Sequence, residues 1–283
     1  MTAIRFTQSI STLAAAALLT GLATNPAVAF NSSHLSQVKT VRNCTACDLS
    51  EADLRGLSLA SAVLKGSNLE AARLSRADLN GANLSGVDLS GADLDGANLG
   101  MANLQGTRLI MATLRGANLA GADLSKAALN LADLSGADLR GCKLDNVHLA
   151  GVSMQGANLV RLNLSGLDLS SSNLSKADLS EARLSGTNLK NSNLGGAELR
   201  ETDVSGADLS GANLASTNLT RARHTSGLKL VGANLSKANL SKLDLSGADL
   251  SGADLSGAKL SGIKLDGARL GGPTWSDGRK CAE

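Results

Sequence analysis

The chain has 283 residues, with 27 Lys and Arg against 25 Asp and Glu, and it carries two Phe, one Trp and no Tyr. So few aromatics exclude an ordinary globular core of this size, and 43% hydrophobic content, mostly Leu and Ala, excludes a disordered chain. A formal charge of +2 supplies neither the basic stripe of a nucleic-acid binder nor the acidic field of a nucleic-acid mimic, so no nucleic-acid partner is expected.

Residues 1–29 read as a secretory signal peptide. Arg5 lies in a short cationic start, an apolar stretch runs from Ile10 to Ala23, and Ala27-Val28-Ala29 forms a small-residue cleavage pattern. The apolar stretch falls short of the ~20 residues that a bilayer demands, so no membrane span is expected after cleavage. Phe30 would begin the mature chain, in a periplasm, a thylakoid-type lumen or the extracellular space. Removing residues 1–29 removes only Arg5 from the charge count and leaves +1. Ser33 precedes Leu35, Val38 and Val41 at helical spacing, which predicts a short capping helix within residues 30–43.

From Leu49 to Leu219 a Leu recurs every fifth residue, with only Met154 and Val204 substituting, and the period resumes from Leu230 to Leu270. The total is 44 centres. Two places before each centre stands mostly Ala, one place before it Asp or Asn, and two places after it most of the 31 Gly. Five residues of α-helix advance about 500°, which would spread the Leu residues over every face. In a strand an odd period would alternate them between faces. Each repeat must therefore contain a turn, with Gly at the corner where positive φ is allowed. Straight side and corner, repeated, wind the chain into a square tube with Leu and the residue two before it pointing inward.

The tract Gly247-Ala248-Asp249-Leu250-Ser251-Gly252-Ala253-Asp254-Leu255-Ser256 closely resembles the pattern A-[DN]-L-x-x of the pentapeptide-repeat proteins. The resemblance covers about residues 42–272. It implies an all-β fold, a right-handed quadrilateral β-helix with four repeats to a coil of about 20 residues, about 11 coils and short terminal caps. At ~4.8 Å per coil the rod would be about 50 Å long. The charges test the coil length independently, because opposite charges recur 20 residues apart at Asp53–Arg73–Asp93, Asp88–Arg108, Asp123–Lys143, Arg183–Asp203–Arg223, Lys229–Asp249–Arg269 and Asp244–Lys264. Asp178–Glu198 is the like pair. Some members of the family mimic duplex DNA and bind type II topoisomerases. Interleaved charges and an export signal argue against that reading here.

The expected organisation is a signal peptide over 1–29, an N-terminal cap over 30–43, the solenoid over 44–272 and a C-terminal cap or tail over 273–283. A solenoid exposes raw core at its ends, and Phe30 and Trp275, the only aromatics of the mature chain, are the expected plugs. Cys44 and Cys47 open the first coil as C-x-x-C, with a local disulfide expected and a thiol-redox or metal role as the alternative. Cys142 replaces an inward Ala. Cys281 is left over for intermolecular pairing, so an oligomer through Cys281 or the end caps is open.

Two breaks in the pattern are candidate interaction sites. Between Leu219 and Leu230 lies one residue too many, predicting an outward basic bulge with Arg221, Arg223 and His224. Ile110 and Met111 stand 20 residues below the neighbourhood of Leu131, predicting a small apolar patch. Inward Val147, Val152, Leu162 and Leu167 are larger than the usual Ala and should adjust coil width or bend. The three His are scattered, no acid, base and nucleophile converge, and a filled interior leaves no pocket. No catalytic residue, metal or cofactor is expected. The sequence thus reads as a non-catalytic exported scaffold for an unidentified protein partner.

Overall fold

The computed structural model describes residues 31–225 and 227–279. The signal segment, Phe30 and Cys281 lie outside the described residues. The chain forms a right-handed quadrilateral β-helix, in which parallel bridges join residues one coil apart from Asn43–Val63 to Asp254–Thr274. Leu109 and Leu129 stack directly, with the Leu109 N–H donating to the Ala128 carbonyl at 2.7 Å.

Each repeat builds one side of the square. The centre N–H donates to the coil above, and the residue before it donates to the coil below, as in Leu89 to Arg108 and Asp88 to Ser67. The corner falls two residues after the centre in the left-handed region, as at Gly91 with φ 65°. Leu centres and the small residues two before them fill the tube, and nearly all are fully buried. Burying each Leu contributes about 1.5–3 kcal/mol, the largest source of stability in the rod. Where Ser or Thr takes the inward slot its hydroxyl bonds to backbone, as in Thr107 to Leu84 at 2.9 Å.

The Asp/Asn preference has a local cause. The side-chain oxygen accepts the N–H two residues on, closing an Asx turn at the corner, as Asp88 does from Ser90 at 3.0 Å. The same oxygens accept Asn amides from the coil above, for example Asn98 to Asp78 at 2.9 Å and Asn118 to Asn98 at 3.0 Å. Five of the expected charge contacts form as ion pairs: Asp53–Arg73, Asp88–Arg108, Asp123–Lys143, Asp244–Lys264 and Asp249–Arg269, at 3.2–3.7 Å. Lys229 turns to Asp208 instead of Asp249, at 3.6 Å. Among the described residues Arg183 forms no ion pair, although Arg183–Asp203–Arg223 bridge in register.

The first coil is covered by α1, Ser32–Val41. Asn31 rather than Ser33 is its N-cap, accepting the Ser33 N–H at 3.0 Å. Val38 is buried and Leu35 packs against the core, whereas Val41 is 65% exposed because the helix ends there in a left-handed Arg42. At the other end Trp275 is partly buried against the last coil. No helix among the described residues is long and apolar enough to cross a membrane.

Candidate functional site

The apolar patch occupies one corner of the square. Met111 and Leu131 are both corner residues, at φ 58° and 60°, and are 65% and 63% exposed. Leu131 extends over Gly151 in the next coil, where an added Cβ would lie 2.9 Å from its side chain. Ile110 is half-buried beside them. A left-handed backbone costs a non-Gly residue roughly 1–2 kcal/mol, and a largely exposed Leu recovers little of it by burial. Met101, 72% exposed and also left-handed, stands at the opposite corner. The sequence reading missed it, although its place two after Leu99 was the available signal.

The bulge differs from its expected form. His224 enters the left-handed region and points to solvent, while Thr225 turns inward to the slot that a Leu centre would fill. The Thr225 hydroxyl donates to the Asp244 carbonyl, replacing the backbone N–H that does so in regular coils. Bridges then run at a spacing of 21 residues, from Asp208–Lys229 to Asn218–Asn239, before 20 returns at Lys229–Asp249. Arg221 pairs with Glu201 at 3.3 Å, and Arg223 donates to the Glu201 carbonyl at 3.0 Å. Arg223 and His224 edge a shallow groove that also includes Arg161, Arg183, Glu181 and Asp203. The bulge and the apolar corner are on different sides of the square, roughly 4.6 coils or ~22 Å apart along the axis, so they do not form one site.

Cys44 and Cys47 form a disulfide with Cα atoms 5.5 Å apart, and both residues are buried under α1. His34 accepts the Asp48 N–H on Nδ1 at 3.0 Å, which fixes it as a structural link between cap and coil. No group of three metal-ligating side chains is found among the described residues. Cys142 donates its thiol to the Leu119 carbonyl at 3.1 Å, and burial pushes its pKa up to about 12, which keeps it protonated and inert.

The expectation of a pocketless rod fails near Cys142. A cleft of about 510 Å³ opens between two neighbouring coils, lined among others by Leu144, Asp145, His148, Asn163, Leu167 and Asp168.

The solved proteins to which the chain is similar include three pentapeptide repeat proteins. One is HetL, a pentapeptide repeat protein involved in heterocyst differentiation regulation from the cyanobacterium Nostoc sp. strain PCC 7120. It is 31% identical over 89% of this chain and 99% of its own, with a TM-score of 0.40. Rfr23 from the cyanobacterium Cyanothece 51142 is 29% identical over 41% of this chain and 97% of its own, TM-score 0.26. A pentapeptide repeat protein from the Arabidopsis thaliana thylakoid lumen is 25% identical over 44% of this chain and 66% of its own, TM-score 0.15. No curated protein matches the chain. The family model for pentapeptide repeats matches in eight copies, which together span residues 43–167, 192–223 and 229–272. With that match laid along most of the bridged ladder, the chain belongs to the pentapeptide repeat family.

Proposed function

We propose that this protein is an exported, non-catalytic scaffold that binds a protein partner through the corner formed by Met111 and Leu131, with Ile110 beside them. The observation that carries this reading is the exposure of that corner. Two large apolar side chains one coil apart stand exposed there, whereas the other non-Gly corners are mostly charged or polar. The Cys44–Cys47 disulfide supports an oxidising compartment, in line with the signal-like residues 1–29. Burial of both sulfurs favours a structural staple over thiol exchange.

Replacing Met111→Lys and Leu131→Lys together should abolish recovery of the partner that wild type captures in its native compartment, with an unchanged melting temperature. Equal recovery by the double variant refutes the patch. Export is tested separately by mass spectrometry of the native protein, which should begin at Phe30.

A further inference from the structure

The wall of the rod is split between two adjacent coils. Bridges Asp138–Asn158 and Ser153–Asn173 hold two sides together, whereas Lys143 does not bridge Asn163 and His148 does not bridge Asp168. One coil earlier the corresponding bonds are intact: Leu124 donates to Lys143 at 2.9 Å, Lys126 to Asp145 at 2.8 Å and Leu129 to His148 at 2.8 Å. At the split the N–H groups of Leu144, Asn146 and Leu149 on one rim, and of Asn163 and Asp168 on the other, make no such bond among the described residues. The rims are 20 residues apart with no insertion, so register is not the cause. Cys142, Val147, Leu162 and Leu167 fill the inward slots here, where Ala is the commoner occupant elsewhere.

We propose that this cleft receives a short extended peptide segment of a protein partner, basic on its outward side, as a strand added between the two coils. Facing strand edges with free donors and acceptors are completed by a chain that accepts along one side and donates along the other, which is what an extended backbone offers. Side chains of such a strand alternate. Its inner ones would meet Leu144, Val147 and Leu167, and its outer ones the exposed carboxylates of Asp145 and Asp168. Hydrogen bonds from Ser170 and Asn188 hold the Asp168 carboxyl below the usual carboxylate range, so it stays charged. Lys143 is engaged by Asp123 and Arg161 by Glu181, and neither Asp145 nor Asp168 forms an ion pair among the described residues, which leaves both acids open to an incoming Lys or Arg. The arc from Leu144 to Leu149 turns at the left-handed Asn146, so about six residues fill it as two short extended stretches that bend at that corner. The site shares the protein-binding reading given above but not its surface, so either can fail alone.

The test titrates the full chain with the blocked hexapeptide Lys-Val-Lys-Val-Lys-Val, following amide exchange. The expected result is saturable binding with at least tenfold slower exchange at Leu144, Asn146, Leu149, Asn163 and Asp168. Binding should be lost when alternate peptide nitrogens are methylated or Glu replaces Lys, and should weaken several-fold in Asp145→Asn/Asp168→Asn, where Asn at position 168 keeps the Asx turn to the Ser170 N–H. Met111→Lys should leave it unchanged. The proposal is overturned if those amides are already protected in the free chain, meaning that the rims close on each other. It is equally overturned if protection rises with protein concentration alone, if the methylated or Glu peptide binds as well as the parent, or if no peptide binds.

Discussion

Deleting His224 should make the protein more stable. The deletion leaves Ala222-Arg223-Thr225-Ser226-Gly227-Leu228-Lys229-Leu230, which restores the five-residue period without a gap. The Thr225 N–H would then reach the Asp244 carbonyl that its hydroxyl now holds, and Arg223 and Asp244 could bridge at regular spacing. Two regained ladder bonds contribute about 1 kcal/mol each, and release of the left-handed His224 about 1 kcal/mol. Loss of the hydroxyl bond returns about 1 kcal/mol, for a net gain of about 2 kcal/mol. Adding Thr225→Leu fills the centre slot and should contribute about 2 kcal/mol more. Urea unfolding followed by circular dichroism measures both steps, and exchange at the Asp244 amide should slow. A loss of stability on deletion, or a Thr225→Leu change without effect in the deleted background, refutes the assignment of His224 as the inserted residue.

Leu131→Gly should raise stability by about 1 kcal/mol in thermal unfolding, because relief of the left-handed strain outweighs loss of its contact with Gly151. A fall of that size would mean that the corner is held by packing. Acid should destabilise the rod in a defined window. The Ser256 side chain and N–H depress the Asp254 pKa, as Ser246 and Ser251 do for Asp244 and Asp249. A depressed carboxyl contributes stability above its unfolded value of ~3.9 and loses it as pH falls through the folded value. Melting temperature should therefore be flat with respect to these groups near neutrality and drop below about pH 4, and Asp254→Asn should flatten part of that drop while preserving the turn at pH 7. Reducing Cys44–Cys47 should cost about 2 kcal/mol by the loop-entropy relation for a four-residue ring. An unchanged melting temperature with altered partner recovery would instead favour a redox role.

The coil was legible in the sequence because every repeat votes for the same geometry: Leu at the centre, a small residue two before it, Gly at the corner. Legibility fell wherever a single residue decides between two placements. Eleven steps from Leu219 to Leu230 revealed an insertion, but whether His224 or a neighbour left the wall depended on Thr225 finding the Asp244 carbonyl, a contact across coils. The Asp/Asn slot was read through charge, while its dominant role is the Asx turn, which neutral Asn performs equally well, as Asn83 does for Ser85. That Asn and Asp alternate freely there was the overlooked sign. At the candidate corner Met111 and Leu131 were identified from outward spacing alone, but their strain needed backbone angles. The cleft escaped because bulky inward residues do not by themselves part the rungs: Leu243 and Ile263 stack inside an intact wall.

The split wall also sets how the rod would answer tension. Pulled from its ends, a parallel solenoid loads its rungs along their bonds, and strength at each level follows the number of sides still joined. At the split only the sides through Asp138–Asn158 and Ser153–Asn173 carry the load. Extension should therefore begin there as a tilt of two stiff blocks about those sides, before any coil peels away.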